Sequence, residues 1–306
     1  MRSLTDLATT VIDAVQDPSP ERHRAFHAKG ICADGSFTAS GELSPLTLAT
    51  HLRGGTVRAV VRFSNGGGNP KVPDGARDGR GMATRLELPG GKPHDFVAVK
   101  IPTFYVRTPD DFLAFLAARR PDPSTGAPDP ARLNTFLAAH PESVPAFKRG
   151  AALPAPASFA TATFHGIHAF YLVKDGGGRQ AFRYRWEPEA GLASLTDEEA
   201  AKRDADYLQR EIKERLGAGP VRFKLVVQLG EPGDPTNDAT AAWPDSRKTI
   251  LAGALTLDRL VADADGGCEA RIFDPVNLVP GVELGDDPLV PFRSAAYGVS
   301  FARRRG

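Results

Sequence analysis

Residues 293–305 read RSAAYGVSFARRR, a single tyrosine among four arginines in a stretch without an acidic side chain. The chain around it is charge-balanced, with 38 Lys and Arg against 37 Asp and Glu in 306 residues, so the cluster needs a local reason. On a helix, Arg293 and Tyr297 stand four residues apart and share one face about one turn apart. A fixed cation at that distance favours phenolate over phenol, and a phenolate is a hard oxygen donor of the kind that ligates iron in some haem proteins. A solvated basic helix with one half-buried tyrosine would carry the same residues. The rest of the chain has to decide between the two.

Working outward, several segments alternate as half-buried strands: 57–63 (VRAVVRF), 82–88 (MATRLEL), 94–101 (HDFVAVKI), 169–174 (AFYLVK), 181–186 (AFRYRW) and 221–229 (VRFKLVVQL). In AFRYRW, Phe182, Tyr184 and Trp186 face one side while Arg183 and Arg185 face the other. With 251–257 (LAGALTL) and 35–39 (GSFTA) the number reaches about eight, which suits a closed barrel. Helices interrupt the strands rather than alternating with them. Thr108-Pro109 with Asp111 opens one through FLAFLAAR, Asp129-Pro130 opens another through RLNTFLAAH, and Thr196 with Glu199 opens a long one ending near Gly217. Strand runs broken by helix clusters imply an α+β chain, not a doubly wound parallel sheet. Gly- and Pro-rich segments at 65–79, 121–130, 231–246 and 280–291 read as long loops. None is a domain linker, so residues 1–306 read as one domain: a helix over 1–16, a barrel with inserted helices over about 30–260, and a terminal helix over about 288–304.

A net charge of +1 gives no global field for nucleic acid or membrane. The basic run at the end lacks the interleaved aromatics of a nucleic-acid surface. Cys32 and Cys268 are too few and too far apart in sequence for a disulfide scaffold or a Cys-x-x-Cys metal site, and read as ordinary thiols in a reducing compartment. Leu4, Leu7, Val11 and Val15 follow helical spacing instead of forming a secretory leader, and no apolar run spans a bilayer. The expected location is cytoplasmic.

Single motifs decide little. His23 and His27 at i, i+4 would form a metal pair only with a third ligand that the sequence does not supply. The glycines of RFSNGGGNP (62–70) lack the Gly-Lys-Ser/Thr ending of a phosphate loop, so a mobile or bulged turn suits them better. His165 and His168, three apart in a strand, fall on opposite faces, one in the core or a pocket and the other exposed.

The order of the motifs is more telling. RAFHAKG (24–30) resembles the distal motif of haem catalases, RFS (62–64) the strand with a second propionate arginine and a serine behind the distal histidine, and DGRGMATRL (78–86) the strand that follows. HDFVAVKIPTFYVRTPDDF (94–112), GIHAFYLV (166–173), VRFKLVVQL and RSAAYGVSFARRR then follow in the family's order. The resemblance covers most of the chain. It implies a catalase-like antiparallel eight-stranded β-barrel with surrounding and C-terminal helices around a buried haem b. His27 would be the distal acid and base, with Ser64 hydrogen-bonded behind it. Tyr297 would be the iron ligand, held by Arg293, and Arg24, Arg62 and Arg304 would meet the propionates. Phe104 either packs on the porphyrin or fills the barrel.

Two departures narrow this reading. The chain is shorter than ordinary catalases and is similar to the minimal, catalase-related peroxidase branch, which implies an assembly smaller than a tetramer. The family's distal asparagine falls where this chain reads VAVKIP, on Val99, or on Lys100 after a one-residue slip. Peroxide cleavage needs a base that takes a proton and returns it, and an imidazole titrating near neutrality suits both steps. The asparagine adds an N–H donor for a second peroxide, and valine has none. The expectation is a peroxidase that reduces hydrogen peroxide or an organic hydroperoxide with a small organic electron donor and retains weak catalase activity. The alternatives are a hydroperoxide-rearranging enzyme of the allene oxide synthase or hydroperoxide lyase kind, with loops 65–79 and 121–130 shaping its channel, and a non-catalytic barrel carrying haem or lipid.

Overall fold

The computed structural model describes residues 2–15, 23–122, 124–261 and 267–305. In chain order its elements are α1 (Leu4–Val15), β1 (Gly30–Ala39), α2 (Thr50–Arg53), β2 (Thr56–Asn65), β3 (Arg80–Glu87), β4 (Pro93–Val99), α3 (Pro109–Arg119), α4 (Pro130–Ala139) and α5 (Ser143–Ala152). They continue with β5 (Phe164–Val173), β6 (Arg179–Pro188), α6 (Asp197–Ala201), α7 (Tyr207–Ala218), β7 (Val221–Leu229), β8 (Thr249–Leu260), β9 (Val282–Leu284) and α8 (Leu289–Arg305). Residues 1 and 16, at the ends of the expected first helix, lie outside the described residues.

All pairings are antiparallel, in the order β4-β3-β2-β1-β8-β7-β6-β5, and β4 meets β5 to close an eight-stranded barrel with β9 added at the edge of β5. The seam between β4 and β5 is a single register pair, Val99 with His165. The alternation read in AFRYRW places Phe182, Tyr184 and Trp186 in the barrel interior, all nearly inaccessible to solvent. There they join Phe37, Phe63, Phe96, Phe164 and Phe223. Each such ring contributes about 1.5–3 kcal/mol through burial. The outward side of β6 differs from expectation. Arg183 is also buried, because the 231–246 loop folds over it and the guanidinium donates to the carbonyls of Ala241 and Asp238.

The caps form where the sequence places them. Thr108 Oγ1 accepts from Asp111 N at 3.1 Å, and Asp129 Oδ1 accepts from Ala131 N at 2.9 Å. The expected long helix after Thr196 is instead two, α6 and α7. The chain between them is pulled toward the 71–76 loop, where Lys29 Nζ and Asp74 N both donate to the Ala205 carbonyl.

A helical layer lies beside the barrel wall. The apolar face of α1 (Leu7, Ala8, Val11, Ile12) packs with Phe292 and Ala296 of α8 and Phe115 of α3. Asp287 starts α8: its Oδ1 accepts from Leu289 N at 2.9 Å, and its carbonyl from Val290 N. That anchor fixes the rotation of α8 and so the direction in which Tyr297 points.

The cysteines correct the sequence reading. Cys32 and Cys268 form a disulfide with a Cα–Cα separation of 5.4 Å across 236 residues of sequence. They are not free thiols, and they lend no support to a reducing compartment. Among the described residues no helix is long and apolar enough to cross a membrane.

Candidate active site

A cleft of about 710 Å³, counting the space open at its mouth, runs between the barrel and α8. Its barrel wall carries His27, Ser64, Gly81, Val97 and Val99, its helical wall Tyr297, and its mouth Arg24, Arg62 and Arg304. Seven of the residues singled out from sequence, Val99 among them, thus meet in one place.

His27 sits just before β1 with φ +54°, the only non-glycine with positive φ among the described residues. A left-handed conformation costs a non-glycine residue about 1–2 kcal/mol, so neighbours must enforce it. They do: His27 N donates to the Gly66 carbonyl and Ala28 N to the Gly67 carbonyl, both at 3.1 Å, while Arg62 Nη1 donates to the His27 carbonyl at 2.8 Å. The RFSNGGGNP turn is therefore a backbone clamp. Its Gly68 comes so near that a Cβ there would lie 2.3 Å from the Ala25 carbonyl oxygen.

The ring of His27 bonds through Nδ1 to Ser64 Oγ at 3.0 Å. Gly81 lies against it, since a Cβ there would fall 2.9 Å from both Nδ1 and Cε1 of His27. Burial, and then the positive charges of Arg62, Arg293 and Arg24, push the imidazole down to about 3. This corrects the expectation of titration near neutrality. The ring faces a narrow space ringed with cations, and both the burial and the charges disfavour its protonated form.

Opposite, Tyr297 Oη accepts from Arg293 Nε at 3.1 Å and Nη2 at 2.7 Å. Arg293 stands behind the tyrosine rather than in the cleft. Its third contact, Nη1 to His168 Nε2 at 2.7 Å, continues to Asp287 Oδ2, 2.7 Å from His168 Nδ1. Because a guanidinium only donates, His168 Nε2 must accept and Nδ1 must carry the proton given to Asp287. Burial lowers the His168 pKa against the pull of Asp287, which fits a neutral ring. Asp287 and His168 were not picked out from sequence as part of this chain of contacts.

At the mouth, Arg24, Arg62 and Arg304 converge on one carboxylate, Glu269, at 3.1, 3.0 and 3.0 Å. Burial depresses Arg62 and Arg304 to about 10. Burial would also raise the Glu269 carboxyl, but Arg62, Arg24 and Arg304 outweigh that and hold it below the usual range. The Nε atoms of Arg62 and Arg304 are buried without a partner. A cradle of three arginines around one carboxylate, with donors to spare, fits a group bearing carboxylates of its own.

Three other sequence candidates lie differently. Val99 lines the cleft, whereas Lys100 turns away and donates from Nζ to the Pro154 carbonyl at 2.6 Å. Phe104 packs with Tyr105 and Phe112 in the helical layer and is not among the residues lining the cleft. His23 Nδ1 lies 3.0 Å from the Arg24 carbonyl, while the His27 ring turns to Ser64, so the two rings are not oriented as a metal pair. Among the described residues, the group close enough to share an ion is elsewhere: Asp111, His140 and Glu142.

The antiparallel barrel thus brings a histidine and an arginine-held tyrosine to one cleft. Residues 8–306 match the sequence profile of the catalase family. The chain is 38% identical over 286 residues to a protein of Mycolicibacterium paratuberculosis named catalase-related peroxidase, covering 92% of this chain and 89% of that one. A protein of the same name from Synechococcus elongatus is 34% identical over 281 residues, covering 92% and 83%. A solved bacterial catalase superposes with a TM-score of 0.81 at 27% identity, covering 93% of this chain but only 58% of its own length. The chain belongs to the catalase family and to its shorter, catalase-related branch.

Proposed function

We propose that the protein is a haem-dependent peroxidase that reduces hydrogen peroxide or an organic hydroperoxide with electrons from a small organic donor. One observation carries the reading: an imidazole backed by a serine faces the same cleft as a tyrosine oxygen held by two N–H bonds of one guanidinium. Tyr297 Oη is the iron ligand in this reading, and Arg24, Arg62 and Arg304 receive the two propionates of haem b. Bound there, haem supplies the two-electron chemistry of O–O cleavage.

The chain's own residues handle position and protons. His27, neutral because burial and the surrounding arginines exclude its charged form, takes the proton from the near oxygen of the hydroperoxide and passes it to the leaving one. Ser64 fixes the plane of the ring through its 3.0 Å contact. Arg293 directs two donors at Tyr297 Oη, which occupies two acceptor positions and leaves a phenolate oxygen one lone pair for the iron.

Val99 sets the outcome after the first turnover. It contributes methyl groups where an amide would give an N–H to a second peroxide, which favours an outside electron donor over dioxygen release. The names of the two relatives agree with this emphasis.

The test is an absorption spectrum of the haem-reconstituted protein beside Tyr297→Phe, with Val99→Asn assayed for both reactions. A tyrosinate-type spectrum lost in Tyr297→Phe, and a rise in the ratio of dioxygen evolved to donor oxidised in Val99→Asn, are expected. Unchanged haem binding without Tyr297 would refute the ligand assignment.

A further inference from the structure

Residues 267–273 cross the mouth of the cleft without helix or strand. Arginine side chains hold their backbone: Arg24 donates to the carbonyls of Cys268 at 3.1 Å and Arg271 at 2.8 Å, and Arg304 to that of Glu269 at 2.7 Å. The one covalent tie is Cys32–Cys268. Cys32 pairs in register with Arg62 across β1 and β2, so the disulfide delivers the next residue, Glu269, to the cradle. The side chain of Glu269 is 54% exposed, while those of Arg24, Arg62 and Arg304 are 13%, 3% and 7% exposed. A half-exposed carboxylate is water-screened and loosely held, whereas buried cations need some partner at all times.

We propose that residues 267–273 form a redox-tethered latch: with the Cys32–Cys268 bond closed, Glu269 fills the arginine cradle as a built-in carboxylate. With the bond open, it gives way to the carboxylates of an incoming haem. The inference rests on the haem reading above. The tether works through effective concentration, because it confines the Glu269 carboxylate beside Arg62 and makes a displacing carboxylate compete with a local one. Closing the latch takes two electrons and two protons from two thiols. A hydroperoxide accepts them and leaves as its alcohol and water. A dithiol reopens the bond by exchange and departs as its own disulfide. Protein that meets peroxide before haem thereby takes up haem more weakly.

The test follows amide hydrogen exchange in 267–273 of the full chain, with and without added haem, together with haem titration by absorbance. Disulfide-bonded wild type is compared with Cys268→Ser and Glu269→Gln. In the wild type the segment is expected to be protected and to exchange faster once haem is added, as Glu269 is displaced. Both variants should exchange faster without haem and bind haem roughly five-fold tighter, the scale of a screened ion pair. Slower exchange on haem addition would make Glu269 a brace for the bound group and overturn the latch. So would a Glu269→Gln segment that exchanges like wild type without haem. Absence of haem uptake by all three proteins would instead refute the haem reading, while the haem-free exchange rates still judge whether Glu269 holds the segment.

Discussion

Gly81→Ala probes how finely His27 is placed. The added Cβ would lie 2.9 Å from Nδ1 and Cε1 of His27 and 2.8 Å from Ser64 Oγ. Carbon contacts settle at about 3.5–4.0 Å, so the ring has to retreat by about 0.6–1.1 Å. Gly81 itself cannot yield, being paired with Ser64 in β2 on one side and Val99 in β4 on the other. A shift near 1 Å at a reacting group costs on the order of 10²-fold in rate, and an extra methyl in a packed site costs about 1–3 kcal/mol of stability. The expected result is a roughly hundred-fold fall in kcat/KM for peroxide with haem still bound, measured by steady-state donor oxidation beside a thermal melt. Gly79→Ala is the control, since a Cβ there meets nothing within 4 Å. Wild-type kcat/KM in Gly81→Ala, or an equal loss in Gly79→Ala, would refute the argument.

Asp287→Asn leaves one carbonyl oxygen to serve both Leu289 N and His168 Nδ1, so an N–H faces an N–H in every tautomer. It should cost about 1–3 kcal/mol and shift the visible absorption of the haem-loaded protein through Arg293; an unchanged melt and spectrum would disprove the coupling. His27, held at about 3, predicts a pH profile of kcat/KM without a limb near 6.5. A limb there that vanishes in His27→Gln contradicts this. His51, lowered to about 4 by burial and bonded at 2.8 Å to the buried His94, is neutral in the fold. A histidine depressed in the fold binds more protons when unfolded. Its stabilisation is therefore complete above about pH 6.5 and falls by up to ~1.4 kcal/mol per pH unit as pH drops toward 4. Melts of His51→Gln across that window should show a shallower fall than wild type.

The barrel was legible because its strands alternate and are bounded by turn residues, and the helix starts because Thr108, Asp129 and Thr196 are capping residues read locally. What resisted reading depends on distant partners. The break between α6 and α7 comes from Lys29 and Asp74 reaching Ala205, and β9 is three residues that become a strand only beside Tyr171. At the site, RAFHAKG stood out through its resemblance to a family motif and Arg-x-x-x-Tyr through its helical spacing, and the structure brings the two to one cleft. Gly81 gave no signal, since its importance is a distance to another strand. Glu269 and the Cys32–Cys268 pairing gave none either, because 236 residues separate the two sulfurs in sequence. His168 was noted, but nothing local tied it to Asp287.

The barrel closes through one pair at Val99 and His165, whereas β3 and β4 are joined through seven. A cylinder stitched so lightly at one place has a designated line of rupture. Small sub-global openings follow the weakest pairing, and here that line ends on Val99 in the cleft wall. Breathing of the barrel would then widen the cleft at Val99, so the size of molecule admitted would be tied to the fragility of the seam as well as to the shape of the mouth.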